Sequence, residues 1–417
     1  MANPYDEVAI YQFPHEIFHC IFSFLVSEDL HELVSQRWRD IAREYPPIWT
    51  NIRIFHFRDS QREMVRDLIS RTKGLPLHIT LEYNQYLTAP QMRNCWEILL
   101  AIMSCSSRWE ALRIVVNEDL FMQICANFGG RKVPLLQRLE LIAVGHSRSL
   151  LNYDLPESDI SFMYLELSQA YLLKHLVLSR ICLRMPSPAY MLQLESLSLD
   201  HIPATYMLDR PGLPADDPPL QTRLRNLSLT GVLISDSTLD PRAYLTEYTA
   251  FLVTLSLSGV HGRPALAVTS MLRQISTTTL RELSICDVDS VFWTGFSRSM
   301  LDPVIPRYPR LQKLHLEDIK RAESRELFNH NFPNLEILDL FNAHFTNTLT
   351  KRAVFPHLHT LRVRGVLYKE LCDVVDLRIE NNIPLTTLEV DTPQFLDLSS
   401  LAWLQRKVPN FKRMVNA

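Results

Sequence analysis

The sequence predicts an α/β fold of solenoid type, with a parallel sheet on a concave face, helices on the convex face, and a small three-helix segment in front. Three observations predict it. From residue 173 onward, an apolar residue followed by Leu, Ile or Val three and five positions later recurs nine times, starting at Leu173, Leu194, Leu224, Leu252, Leu280, Leu311, Leu335, Leu358 and Leu385. The starts are 21, 30, 28, 28, 31, 24, 23 and 27 residues apart, a period that marks stacked repeats rather than separate domains. Residues 13–49 follow a helical periodicity instead.

Residues 1–12 read as a tail. Phe13-Pro14-His15-Glu16-Ile17 then opens a helix with Pro at a first-turn position. Its apolar residues form two stripes, Ile17, Ile21, Phe24 and Leu25 on one and Phe18 and Phe22 on the other, more than so small a domain needs to cover itself. The surplus is expected to meet another protein. Ser27 suits the N-cap of a second helix through Leu30 and Leu33. A third, Gln36 to Ala42 with Trp38, stops at Pro46-Pro47. Three such short helices bury little alone and are expected to lean on the chain that follows.

Residues 51–417 read as the solenoid. Two leucines two positions apart point to one face of a short strand. Stacked copies therefore build a parallel sheet whose leucines fill a core that no single repeat could bury. Leu136-Leu139-Leu141-Val144 is an earlier copy, and Trp109-Leu112-Ile114 and Trp49-Ile52-Ile54 are looser ones, so the sheet is expected to begin near residue 50. Pro90 to Ser104, with Trp96, Leu99, Leu100 and Met103 at helical spacing, reads as a return helix. The proline-rich stretch between His201 and Arg223 reads as an exposed loop. Leu398, Leu401, Leu404 and Val408 read as a terminal cap over the last repeat.

Composition excludes several function classes. Lys and Arg number 43 against 46 Asp and Glu, with no basic run, so nucleic acid is not the expected partner. Only 10 glycines occur, scattered, which argues against phosphate-cradling loops. No segment reads as a secretory signal or a membrane span. The 7 cysteines form no paired motif and read as reduced thiols of a cytoplasmic or nuclear protein.

His15-Glu16-Ile17-Phe18-His19 matches the H-E-x-x-H zinc-protease signature. Neither a third ligand nor the extended motif follows, so a zinc hydrolase is the remote reading and no metal or cofactor is expected. His175 and His315 fall on strand positions and read as surface or satisfied polar groups rather than ligands. No nucleophile, phosphate or kinase motif is present, and the chain is expected not to be an enzyme.

The repeats resemble the leucine-rich-repeat family over most of residues 50–417. One departure is that Ile181, Ile202, Val232, Val260 and Val288 stand where many members place a buried Asn after the strand, so the turns must satisfy their backbone groups otherwise. Residues 13–50 resemble an F-box, through Phe13-Pro14-x-Glu16-Ile17, Ile21-Phe22-x-x-Leu25, Asp29-Leu30, Arg37-Trp38-Arg39-x-Ile41-Ala42 and Pro47-x-Trp49. The resemblance implies a non-catalytic substrate-recognition subunit of a Skp-cullin-F-box ubiquitin ligase. It would dock a Skp-type adaptor, and through it cullin and RING proteins, by Phe13, Pro14, Ile17, Ile21, Phe22, Leu25, Leu30 and Trp38. The alternative is a repeat scaffold whose N-terminal helices merely cap the solenoid.

The variable strand positions are expected to line the concave face. They are small and polar in the middle repeats, then change to Lys313, His315 and Glu317, to Asp339 and Phe341, and to Arg362 and Arg364. Aromatic and Arg side chains dominate interface energetics. His315, Asp339, Phe341, Arg362 and Arg364 are therefore the expected contacts for a protein substrate.

Overall fold

The computed structural model describes residues 45–55, 57–83, 88–117, 120–121, 124, 131–144, 169–179, 193–201, 223–231, 251–261, 268–269, 272, 279–299, 308–319, 331–342, 355–365, 368–391 and 398–414. The eight adaptor-docking residues expected at the N-terminus, the H-E-x-x-H motif and the proline-rich loop lie outside them. The protein is α/β, and within each of its two compact units the strands follow one another in chain order as parallel neighbours, an arrangement compatible with a solenoid-like repeat. The described chain divides into two compact units, changing over between Leu173 and Lys174.

The first unit holds β1 (Asn51–Ile54), α1 (Asp59–Arg71), β2 (Leu77–Tyr83), α2 (Ala89–Ser104), β3 (Trp109–Asn117) and β4 (Arg138–Val144). All four strands are parallel to their neighbours. Thr88 and Gln91 form a capping box that fixes the start of α2. The buried stripe of that helix is Cys95, Ile98, Leu99, Ile102 and Met103. This corrects the expected stripe: Leu100 faces outward at 56% exposure and Trp96 is half-buried, because the packing face is rotated toward Cys95 and Ile98. Glu97 ties α2 to α1 through Arg62 at 3.1 Å and Arg66 at 3.2 Å.

The second unit holds β5 (His175–Ser179), β6 (Ser196–Asp200), β7 (Asn226–Thr230), β8 (Thr254–Ser258), β9 (Glu282–Cys286) and α3 (Ser290–Ser299). It continues with β10 (Lys313–Glu317), β11 (Ile337–Phe341), β12 (Thr360–Arg364), α4 (Tyr368–Glu380), β13 (Thr387–Asp391), α5 (Leu398–Lys407) and β14 (Asn410–Met414). The first three apolar positions of all nine repeats are buried. Each such aliphatic side chain contributes about 1.5–3 kcal/mol relative to exposure. The expected C-terminal cap is corrected in one respect. Leu401, Leu404 and Val408 are buried as a cap requires, yet a further strand, β14, pairs with β13 beyond the helix. Lys412 and Arg413 on β14 are exposed, and charge of this kind blunts a sheet edge against further pairing.

The turns show how the strand ends satisfy their backbone groups. The residue after each strand from β6 to β12 is left-handed: His201, Gly231, Gly259, Asp287, Asp318, Asn342 and Gly365, with φ between 46° and 71°. Gly, Asn, Asp and His are the residues that tolerate this region best. In the six turns from His201 to Asn342 the N–H points at the last carbonyl of the next strand, as in His201 to Thr230 and Gly231 to Ser258, both 2.7 Å, and Asn342 to Arg364, 2.9 Å. At the opposite strand end, two successive N–H groups share one carbonyl of the preceding repeat, as Gln312 and Lys313 do on Arg281. Backbone groups that would otherwise be orphaned are thereby paired.

Candidate functional site

Because parallel strands in register place equivalent positions side by side, the polar sheet face of the second unit is organised in rows. The central row runs Ser198, Ser228, Ser256, Ser284, His315, Asp339, Arg362, Glu389, Lys412. Four serines give way to five ionisable groups of alternating sign. His315 Nδ1 stands 3.6 Å from Asp339, and Arg362 reaches Asp339 at 3.5 Å and Glu389 at 2.8 Å. Lys412 closes the row 3.7 Å from Glu389. Opposite charges directly across a ladder stabilise it, and here they fix the side chains in line.

The adjoining row includes Cys286, Glu317, Phe341 and Arg364. The Arg364 guanidinium lies over the Phe341 ring, 4.9 Å from its centroid, in a cation–π contact. On the other side His315 meets the same ring edge-on at 5.1 Å and 85°. Arg364 is also paired with Asp391 at 3.3 Å, and His315 Nε2 with Glu317 at 3.3 Å. Phe341 is half-buried, its ring held from two sides before any partner arrives.

All five residues expected to contact substrate are thus brought together. Their roles differ from a uniform contact surface. Asp339 is only 4% exposed, so it is a buried support for His315 and Arg362 rather than a contact. The Asp339 carboxylate foremost, then Cys286, push the His315 pKa up to about 10 against the opposing effect of burial. His315 is therefore a cation at neutral pH in the metal-free chain.

Beside this cluster a hollow of about 330 Å³ opens over the serine part of the row, with Ser198, Ser228, Ser256 and Ser284 on its floor and Lys313 and His315 at one side. Reading the repeats alone passes over Cys286. It occupies the seventh place of its repeat, where Glu317 and Phe341 stand in the next two, and aligning that place across the strands recovers it.

A second charged cluster lies in the first unit. Burial raises the Glu140 carboxyl, and hydrogen bonds from Arg113 and Arg138 outweigh it, so its pKa is lowered. Arg113 also bonds Glu82 at 2.9 Å. Arg113 thereby bridges Glu82 and Glu140. Cys95 and Cys105 are free, buried thiols, and burial pushes Cys95 up to about 12, which makes it unreactive. Among the described residues no helix is long and apolar enough to cross a membrane.

No protein-family model matches the chain, and no curated protein matches it significantly. The functional reading therefore stands on the sequence motifs and the site geometry.

Proposed function

We propose that the chain is the substrate-recognition subunit of a Skp-cullin-F-box ubiquitin ligase, a leucine-rich-repeat solenoid that holds a target protein while residues 13–50 dock the adaptor. The observation that carries the reading is the prearranged Phe341 platform. An aromatic ring clamped between Arg364 and His315 on a rigid parallel ladder loses little side-chain entropy on binding, which favours its use as an interface anchor. The chain itself performs no bond chemistry. Its contribution is proximity, placing the target beside enzymes carried by the assembly.

The test is reconstitution of the full chain with a purified Skp-type adaptor. A stable complex, lost with Ile17→Asp or Leu25→Asp and retained with Phe341→Ala, is the expected result. Absence of any complex with the unaltered chain rejects the ligase assignment in favour of a repeat scaffold.

A further inference from the structure

Cys286, His315 and Glu317 place a thiol, an imidazole and a carboxylate where one ion could meet all three. Their donor atoms lie within 4.8 Å of one another. Cys286 and Glu317 are direct neighbours across β9 and β10, and His315 precedes Glu317 by two residues on the same face. The sheet register therefore sets the arrangement.

We propose that these three residues form a binding site for a zinc-class divalent transition metal, independent of the ligase reading. Distances favour it. A tetrahedral zinc about 2.0–2.2 Å from nitrogen and oxygen ligands sets those two atoms about 3.4 Å apart. His315 Nε2 and Glu317 Oε2 are 3.3 Å apart. A thiolate ligand sits about 3.6 Å from its neighbours in the same geometry, and the Cys286 sulfur already lies within 4.8 Å of both partner atoms.

The surroundings match as well. His315 turns Nε2 to the site and Nδ1 toward the nearly buried Asp339 carboxylate, 3.6 Å away. A carboxylate behind the second ring nitrogen is the usual means of orienting a metal-bound histidine. Glu317 and Asp339 supply two negative charges, which favour a dication more strongly than a proton. A mixed thiolate, imidazole and carboxylate donor set selects zinc or a similar borderline metal over calcium or magnesium. With three protein donors, the fourth position is left to water, as in open zinc sites.

The test uses the full chain stripped with a chelator, then titrated with cobalt(II) or zinc chloride. One equivalent of cobalt is expected to produce a thiolate-to-metal charge-transfer band, which no site built from His15 and His19 could give. Cys286→Ser should abolish the band, and Glu317→Gln should weaken zinc at least tenfold with unchanged circular dichroism. Asp339→Asn should keep the band while costing about 10- to 100-fold in affinity. No thiolate band in the unaltered chain, a band that survives Cys286→Ser, or undiminished zinc affinity in Glu317→Gln would each overturn the proposal.

Discussion

Gly365 and Asn342 follow adjacent strands and approach so closely that a Cβ on Gly365 would lie 2.6 Å from Asn342 Oδ1. Asn342 cannot readily retreat, since its amide donates to Asp318 at 2.9 Å and its backbone N–H to Arg364. Gly365 also has φ +71°, where a side chain costs about 1–2 kcal/mol. Gly365→Ala is therefore expected to lose that amount plus the cost of displacing Asn342. Gly74, at φ +88° with open space around its Cβ position, should lose only the conformational part when changed to Ala. Denaturant titration of both variants checks this, and equal losses would show that the contact with Asn342 is relieved at no cost.

Asp339 faces two cations with only 6% of its side chain exposed. Removing one partner of a buried pair costs about 3–5 kcal/mol, because the remaining charges stay desolvated. Asp339→Leu is expected to fall near the lower bound, since Arg362 keeps its contact with Glu389. Adding Arg362→Met should recover part of the loss. The double-mutant cycle measured by urea unfolding checks the coupling, and strict additivity would mean that the row is an alignment of independent side chains.

The nine strands from β5 to β13 were legible because burial of Leu, Ile or Val three and five places after each start is a strong, repeated signal, and Leu194, Leu197 and Leu199 show it as plainly as any repeat, whereas β2 lies outside every copy of the pattern and was missed. That His315, Asp339, Phe341, Arg362 and Arg364 share one face was legible for the same reason: once the strand phase is known, the third, fifth and seventh places must share a face. What was hidden is pairing across strands. Nothing local tells that Asp339 is buried, that Cys286 meets His315 from a strand 29 residues earlier, or that α2 turns Leu100 outward. Nor did the apolar pattern reveal β14, whose Asn-Phe-Lys-Arg-Met has no leucine repeat and is held by backbone pairing to β13.

Arg378 on α4 is 5% exposed and donates to the carbonyls of Phe355 at 3.3 Å and Leu358 at 2.6 Å. Burial pushes its pKa down to about 10, so it remains charged at neutral pH. A hydrogen bond to a charged group is worth about 1.5–3 kcal/mol. Arg378→Met fills similar volume but leaves two carbonyls short of this donor, and a loss of about 2–4 kcal/mol is expected. Amide hydrogen exchange along β12 should rise in the variant, since Phe355 and Leu358 lead directly into that strand. Unchanged protection there would assign the role of Arg378 to packing alone.

His315 links stability to pH. Its pKa is about 10 in the folded, metal-free chain, against about 6.5 when unfolded. A group whose pKa rises on folding contributes stability that is complete below the unfolded value and disappears as pH climbs through the folded one. The groups facing it are Asp339, Glu317 and Cys286, from β11, β10 and β9. With chelator present, the chain is expected to lose on the order of a few kcal/mol between pH about 6.5 and 10 beyond the loss seen in His315→Gln. Tyrosine, lysine and other cysteine residues titrate in the same range, so the difference between the two proteins isolates the imidazole. Urea unfolding of both across that window supplies the measurement. Parallel curves would mean that His315 is not held as a cation by Asp339, and that its edge-on contact with Phe341 is made by a neutral ring.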